Sequence, residues 1–213
     1  MKKASVFLVV AVVTCFLLPY QAQALSVAGY TFDDEAFADY LYSASGNPAT
    51  FTYGVGFNYS PTFAEIETSV IGDDLINLAI LDSNDTLTLG FSDNLIVNGV
   101  GTDFVIFEMN AVEGGYVDVQ LLGLSQAYYS VWTGYDNGFG TGGNINAVEV
   151  DLSNFGLAMW DTVDLISVTG MTNFDLAAIG ALNSQSIPDP SVVFLLGSAC
   201  LIGFAGARRK FKE

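Results

Sequence analysis

The chain has 213 residues, of which 23 are acidic and six basic, with no histidine and a formal net charge of −17. Every cation lies at an end, as Lys2, Lys3, Arg208, Arg209, Lys210 and Lys212, and both cysteines, Cys15 and Cys200, also lie outside residues 25–187. That middle therefore has no Ser-His or Cys-His nucleophile pair, no Schiff-base lysine, no arginine to clamp a phosphate, and none of the nitrogen or sulfur ligands that zinc prefers.

In chain order, Lys2-Lys3 is followed by an apolar run over residues 4–18, then Pro19, then Ala22-Gln23-Ala24. A charged start, a hydrophobic middle and an A-x-A site form a secretory signal peptide over residues 1–24, to be cut by signal peptidase after Ala24. A lipoprotein signal ending at Cys15 is the rival. Residues 12–14 (VVT) lack the small residue before the cysteine that such a signal needs, and the apolar run continues past it.

Residues 25–182 have the length of one domain. They are rich in β-branched and aromatic residues and in glycine turns, and there is no proline between Thr62 and Ile187. Alternation predicts strands over 86–91, 116–121 and 145–152. A continuous apolar run predicts a buried strand over 103–108, and further strands are expected over 162–169 and 177–182. Helix is expected only over 33–42 and in a single turn after a Ser153 cap. Short strands at this spacing predict an all-β protein, a β-sandwich. The small polar residues of 183–187 predict a linker.

All but Asp189 and Glu213 of the acidic residues fall in this domain, which gives it 21 carboxylates and no positive side chain. Such a surface repels nucleic acid and anionic lipid headgroups. Each buried carboxylate has to be satisfied by amides, hydroxyls or a metal, because no salt bridge can form. Two-carboxylate glycoside hydrolysis is the one common enzyme class that survives. Its candidates are the clusters at residues 33–35, at Glu65 with Glu67, and at Asp73 with Asp74, all of which also read as solvated acidic turns. Glu65 and Glu67 share a face only in an extended segment.

Hard cations take oxygen ligands, so calcium is the favoured metal. Asp82, Asn84 and Asp85 place three oxygen-bearing side chains on one turn, although without the EF-hand pattern. Residues 128–135 (YYSVWTGY) precede a glycine-rich run. Exposed, these aromatics could stack on sugar rings, which makes a carbohydrate-binding module the alternative function. The favoured reading instead turns Tyr129 and Val131 to the core by strand alternation.

At the far end, Pro188-Asp189-Pro190 precedes an apolar run over 191–207 that is closed by Arg208-Arg209-Lys210. Seventeen helical residues span roughly 25 Å, the short limit for crossing a bilayer, and the terminal cations fix the cytoplasmic side. This proline motif, glycine-dotted apolar helix and basic cluster resemble the PEP-CTERM sorting tail of Gram-negative bacteria, with Asp189 in place of the usual glutamate. The resemblance extends to residues 89–91, 96–99, 101–108, 151–156 and 174–182, which look like the β-rich domain that accompanies such tails. It implies a jelly-roll or galactose-binding-like sandwich with no enzymatic role. It also implies transient anchoring in the inner membrane and processing by exosortase. Release to the cell surface or to an extracellular matrix holding exopolysaccharide would follow. By the same resemblance Asp175 joins the calcium candidates, at a sandwich edge.

Overall fold

The computed structural model describes residues 24–33, 36–110, 114–138 and 143–187. The signal segment with Ala22, the Pro188-Asp189-Pro190 motif, the apolar run 191–207 and the basic cluster from Arg208 to Lys210 lie outside the described residues; Ala24 is described and exposed. Among the described residues no helix is long and apolar enough to cross a membrane.

The chain folds as an all-β protein. Its larger sheet has seven strands in the order β12-β13-β9-β16-β6-β4-β5: β12 (Val131–Asp136), β13 (Asn144–Val150), β9 (Phe104–Asn110), β16 (Phe174–Ala181), β6 (Asn77–Leu81), β4 (Ala49–Thr52) and β5 (Gly56–Asn58). The second sheet has the order β11-β10-β15-β7-β3: β11 (Leu124–Tyr129), β10 (Tyr116–Leu121), β15 (Leu165–Gly170), β7 (Thr86–Gly90) and β3 (Tyr40–Ser45). All named pairings in both sheets are antiparallel.

The two sheets share one apolar core. Leu87 and Leu89 of β7, Val117 and Val119 of β10, and Ile166 and Val168 of β15 cluster with Phe104 and Ile106 of β9, Val148 and Val150 of β13, and Leu176 and Ile179 of β16. Period-two alternation aims one side of each strand into this layer.

β9 is different because its other side is buried too. Val105, Phe107 and Met109 pack in a second cluster with Phe32, Phe37 and Leu78. That cluster lies under the hairpin of β1 (Leu25–Val27) and β2 (Tyr30–Phe32), which is why the sequence there reads as a continuous apolar run. A third sheet, β14-β8-β17, consists of β14 (Thr162–Val163), β8 (Asn94–Val97) and β17 (Ser184–Ser186) and contributes Ile96 and Val163 to the main core.

The structure departs from the local expectations at four places. The segment 33–42 holds no helix among its described residues: Phe37 makes an isolated bridge to Gly180 and Tyr40 begins β3. The long-range pairing of β3 with β7 outweighs the weak local periodicity. The α-helix that does form, α1 (Phe63–Val70), starts with a capping box in which Thr62 Oγ1 accepts from the Glu65 amide and Glu65 Oε2 accepts from the Thr62 amide at 2.7 Å. Glu65 and Glu67 are therefore helical and share no strand face. The turn expected after Ser153 is a 3₁₀ helix (Leu152–Phe155) capped two residues earlier, with the Asp151 side chain accepting from the Ser153 amide. Residues 184–186, expected within a linker, pair with β8 as β17.

Candidate functional site

Two features stand apart from ordinary packing, and they lie around a single corner where the chain changes sheets twice. The segment from β9 to β10 passes from the seven-stranded to the five-stranded sheet, and the step from β11 to β12 returns through one residue, Ser130. The two crossings lie side by side, with the Ser130 amide donating to the Gly115 carbonyl at 3.1 Å.

The first feature is the buried acid that pins this corner. Glu108 is 0% exposed. It lies on β9 in alternation with Phe104 and Ile106, opposite Asn146 of β13. Its Oε2 accepts from the Gly115 amide at 3.0 Å, from the Asn146 side-chain amide at 3.3 Å and from the Ser130 hydroxyl. Its Oε1 is buried without a hydrogen-bond partner. The backbone approaches so closely that a Cβ on Gly115 would stand 2.6 Å from Glu108 Oε1 and 2.9 Å from the Asn173 carbonyl. Glycine is required there by space.

Asp175 of β16 carries the consequence. Burial first, then the Glu108 and Asp82 carboxylates, push its pKa from the ordinary value of 3.8 up to about 7, and its Oδ1 has no hydrogen-bond partner. The other fully enclosed carboxylate, Asp103, shows the alternative solution. Its oxygens accept from the amides of Gly99 and Leu152, each at 2.7 Å, and from the Asn183 side chain at 2.9 Å.

Of the expected calcium ligands, Asn84 and Asp85 are engaged within or beside their own turn, and the Asp82 carboxylate acts on Asp175. Asp85 is buried with Oδ1 accepting from the Asn47 amide at 2.8 Å and Oδ2 from the Asp82 amide at 3.1 Å, so it builds the turn itself. The Asn84 side chain donates to the Ser83 carbonyl, and Asp82 is exposed. Among the described residues no group of three or more carboxylates stands close enough to hold a metal.

The candidate glycosidase acids are likewise engaged locally. Glu65 caps α1, and hydrogen bonding to Thr62 lowers its pKa. Glu67 accepts from the Leu41 amide at 3.0 Å, and Asp74 accepts from the Ile76 amide at 3.0 Å. Asp33 and Asp73 are exposed, and residues 34–35 lie outside the described residues.

The second feature is an open groove of about 500 Å³ along the side where β11 and β12, the edge strands of the two sheets, meet. Tyr30, Tyr128, Tyr129, Val131, Trp132 and Glu149 line it. Here the favoured sequence reading is overturned. Tyr129 is 45% exposed, while Val131 and Trp132 are each 63% exposed. On β11 the alternate set turns inward, Tyr128 packing against the main core and Ser130 following it at 0% exposed, so Tyr129 faces out, whereas the edge strand β12 is exposed on both faces.

The rings are nevertheless held. Tyr129 packs against Tyr116 with ring centres 4.8 Å apart, and Tyr30 meets Phe107 edge-on at 5.8 Å. The Tyr30 hydroxyl donates to Glu149 Oε1 at 2.8 Å, and the Thr102 hydroxyl to Glu149 Oε2 at 3.2 Å. Burial and this carboxylate raise the Tyr30 pKa, so the phenol stays protonated and donating. A bulge between Trp132 and Tyr135 interrupts the pairing with β13, with Gly134 at φ 87°. That left-handed geometry suits glycine, and the extra residues re-aim the flanking indole and phenol outward.

No family model, curated protein or solved structure matches this chain.

Proposed function

We propose that the chain is an exported protein of the cell surface or extracellular matrix of a Gram-negative bacterium. It would be processed by signal peptidase and by exosortase and serve a structural or adhesive role beside exopolysaccharide. In this reading its two-sheet body is a β-sandwich of the jelly-roll or galactose-binding-like kind.

One observation carries the proposal: Lys and Arg occur only at the outer flanks of two terminal apolar runs, while the 163 residues of 25–187 have none. Basic flanks are retained on the cytoplasmic side as apolar runs enter the bilayer, so this distribution delivers the acidic body across it. The tail's resemblance to PEP-CTERM signals supports exosortase over a permanent anchor. The local roles of Glu65, Glu67 and Asp74 in holding the backbone support a binding or cohesive role over hydrolysis.

Intact-mass measurement of the protein recovered from cells tests this. Loss of residues 1–24 and of the segment beyond the proline motif, in the surface or matrix fraction, is the expected result. Retention of the C-terminal run would establish a simple anchor instead, and a cytosolic chain with residues 1–24 still attached would refute export.

A further inference from the structure

We propose that the groove at the junction of β11 and β12 is a binding site for a neutral oligosaccharide, which lies across Trp132 and Tyr129 and hydrogen-bonds to Glu149. The inference goes beyond the surface role and does not depend on how the chain is exported.

A sugar ring has an apolar face of C–H groups and a rim of hydroxyls, so its site needs exposed aromatic faces beside acceptors that are held in place. Both occur here. Trp132 and Tyr129 offer their rings to solvent from adjacent edge strands, and the Trp132 indole is steadied by its N–H reaching the Tyr135 carbonyl at 3.4 Å. The Tyr129 ring is braced by Tyr116. Rings that are already ordered lose little freedom when a ligand arrives.

Glu149 supplies the acceptors. A carboxylate has about four lone-pair positions, and among the described residues two hydroxyls, from Tyr30 and Thr102, are seated on it. The remaining positions are exposed beside the rings. A groove of about 500 Å³ is of the size that takes a small ligand, and four aromatic residues, Tyr30, Tyr128, Tyr129 and Trp132, are in its lining beside Thr133 and Glu149.

Charge chooses the class of glycan. The domain carries 21 carboxylates and no cation, and Glu149 itself stands in the site. A uronate, sulfate or phosphate on the glycan would meet repulsion with nothing to pair with, whereas a neutral sugar has none to overcome. A second copy of this chain would bring the same negative potential to the contact, which disfavours that occupant too.

The test titrates the full chain, in mild detergent, with neutral hexasaccharides of β-glucan, mannan, xylan, galactan and chitin. Hexagalacturonate serves as the anionic comparison. Binding is followed by calorimetry and by light scattering on the same samples. At least one neutral hexasaccharide is expected to bind, hexagalacturonate to bind at least tenfold more weakly, and Trp132→Ala to lose at least tenfold in affinity.

Trp160→Ala, which removes an exposed indole away from the groove, is expected to bind as the parent does. Trp132 is exposed, so its removal leaves the core intact, and an unchanged near-ultraviolet circular dichroism baseline outside the tryptophan bands verifies folding. Glu149→Gln, which replaces one acceptor oxygen by a donor and removes the charge, is expected to weaken neutral binding severalfold and to narrow the discrimination against hexagalacturonate. Failure of every neutral hexasaccharide to bind, equal affinity in Trp132→Ala, tighter binding of hexagalacturonate, or a dimer that Trp132→Ala dissolves in place of any glycan binding would each overturn the proposal.

Discussion

Replacing Asp175 by asparagine should stabilise this protein at pH 8 and leave it nearly unchanged at pH 4. In the folded chain burial and the Glu108 and Asp82 carboxylates hold the Asp175 pKa near about 7, against 3.8 for an unperturbed side chain. The folded state therefore keeps a proton that the unfolded chain gives up. The favourable contribution of that proton is fully present below about pH 4 and is lost as the pH rises through about 7.

At about 1.4 kcal/mol per pH unit, the interval from 3.8 to about 7 sets a ceiling of about 4 kcal/mol. Asp175 is only partly enclosed, so about 2 kcal/mol is the working expectation. For a domain of this size that corresponds to roughly 4–8 °C in Tm. The assay is thermal unfolding of Asp175→Asn and the parent at half-unit steps from pH 4 to pH 8, taking the difference at each pH so that the other carboxylates cancel. The difference should open between pH 4 and 7 and then stay constant. A difference independent of pH, or a variant less stable than the parent at pH 8, would refute the idea that an uncompensated charge sits there.

The same corner yields two more expectations. Glu108→Ala removes the acceptor shared by the Gly115 amide, the Ser130 hydroxyl and the Asn146 side chain, leaving the Gly115 amide with its bond to Ser130 Oγ at 3.0 Å. It should cost about 3–5 kcal/mol by urea unfolding, whereas Glu108→Gln, which keeps a carbonyl acceptor, should cost clearly less and should lower the Asp175 pKa measured by NMR. Gly115→Ala drives a methyl against Glu108 and the Asn173 carbonyl and should cost about 1–3 kcal/mol. At the other side of the molecule, Thr62→Ala removes one half of the α1 capping box and should cost about 0.5–2 kcal/mol, with amide exchange accelerated in residues 63–66 first.

How much of this was legible in the chain differs element by element. The strands at 86–91, 103–108, 116–121 and 145–152 fall within a residue or two of β7, β9, β10 and β13, because period two and the apolar run are local signals. The α1 helix carried a readable signal that was passed over: Thr62 followed three residues later by Glu65 is a capping box. The requirement that buried carboxylates in a cation-free body find amides and hydroxyls is met at Asp103 and Asp85. Glu108 could have been singled out as the acid set inside the apolar run of residues 104–109 (FVIFEM).

Amino-acid order alone determined the all-β class, the sign of the surface and the reaction chemistries that lack the side chains they need. These follow from local periodicity and from which functional groups exist at all. Only the tertiary structure decided that Tyr129, Val131 and Trp132 face solvent, since that depends on β11 and β12 being edges, and sheet order is set by pairings between distant segments. It likewise decided that the Asn84 and Asp85 side chains close on nearby backbone, and that Asp175 shares its surroundings with Glu108 across 67 residues of chain. Proximity of that kind has no period for a sequence to display.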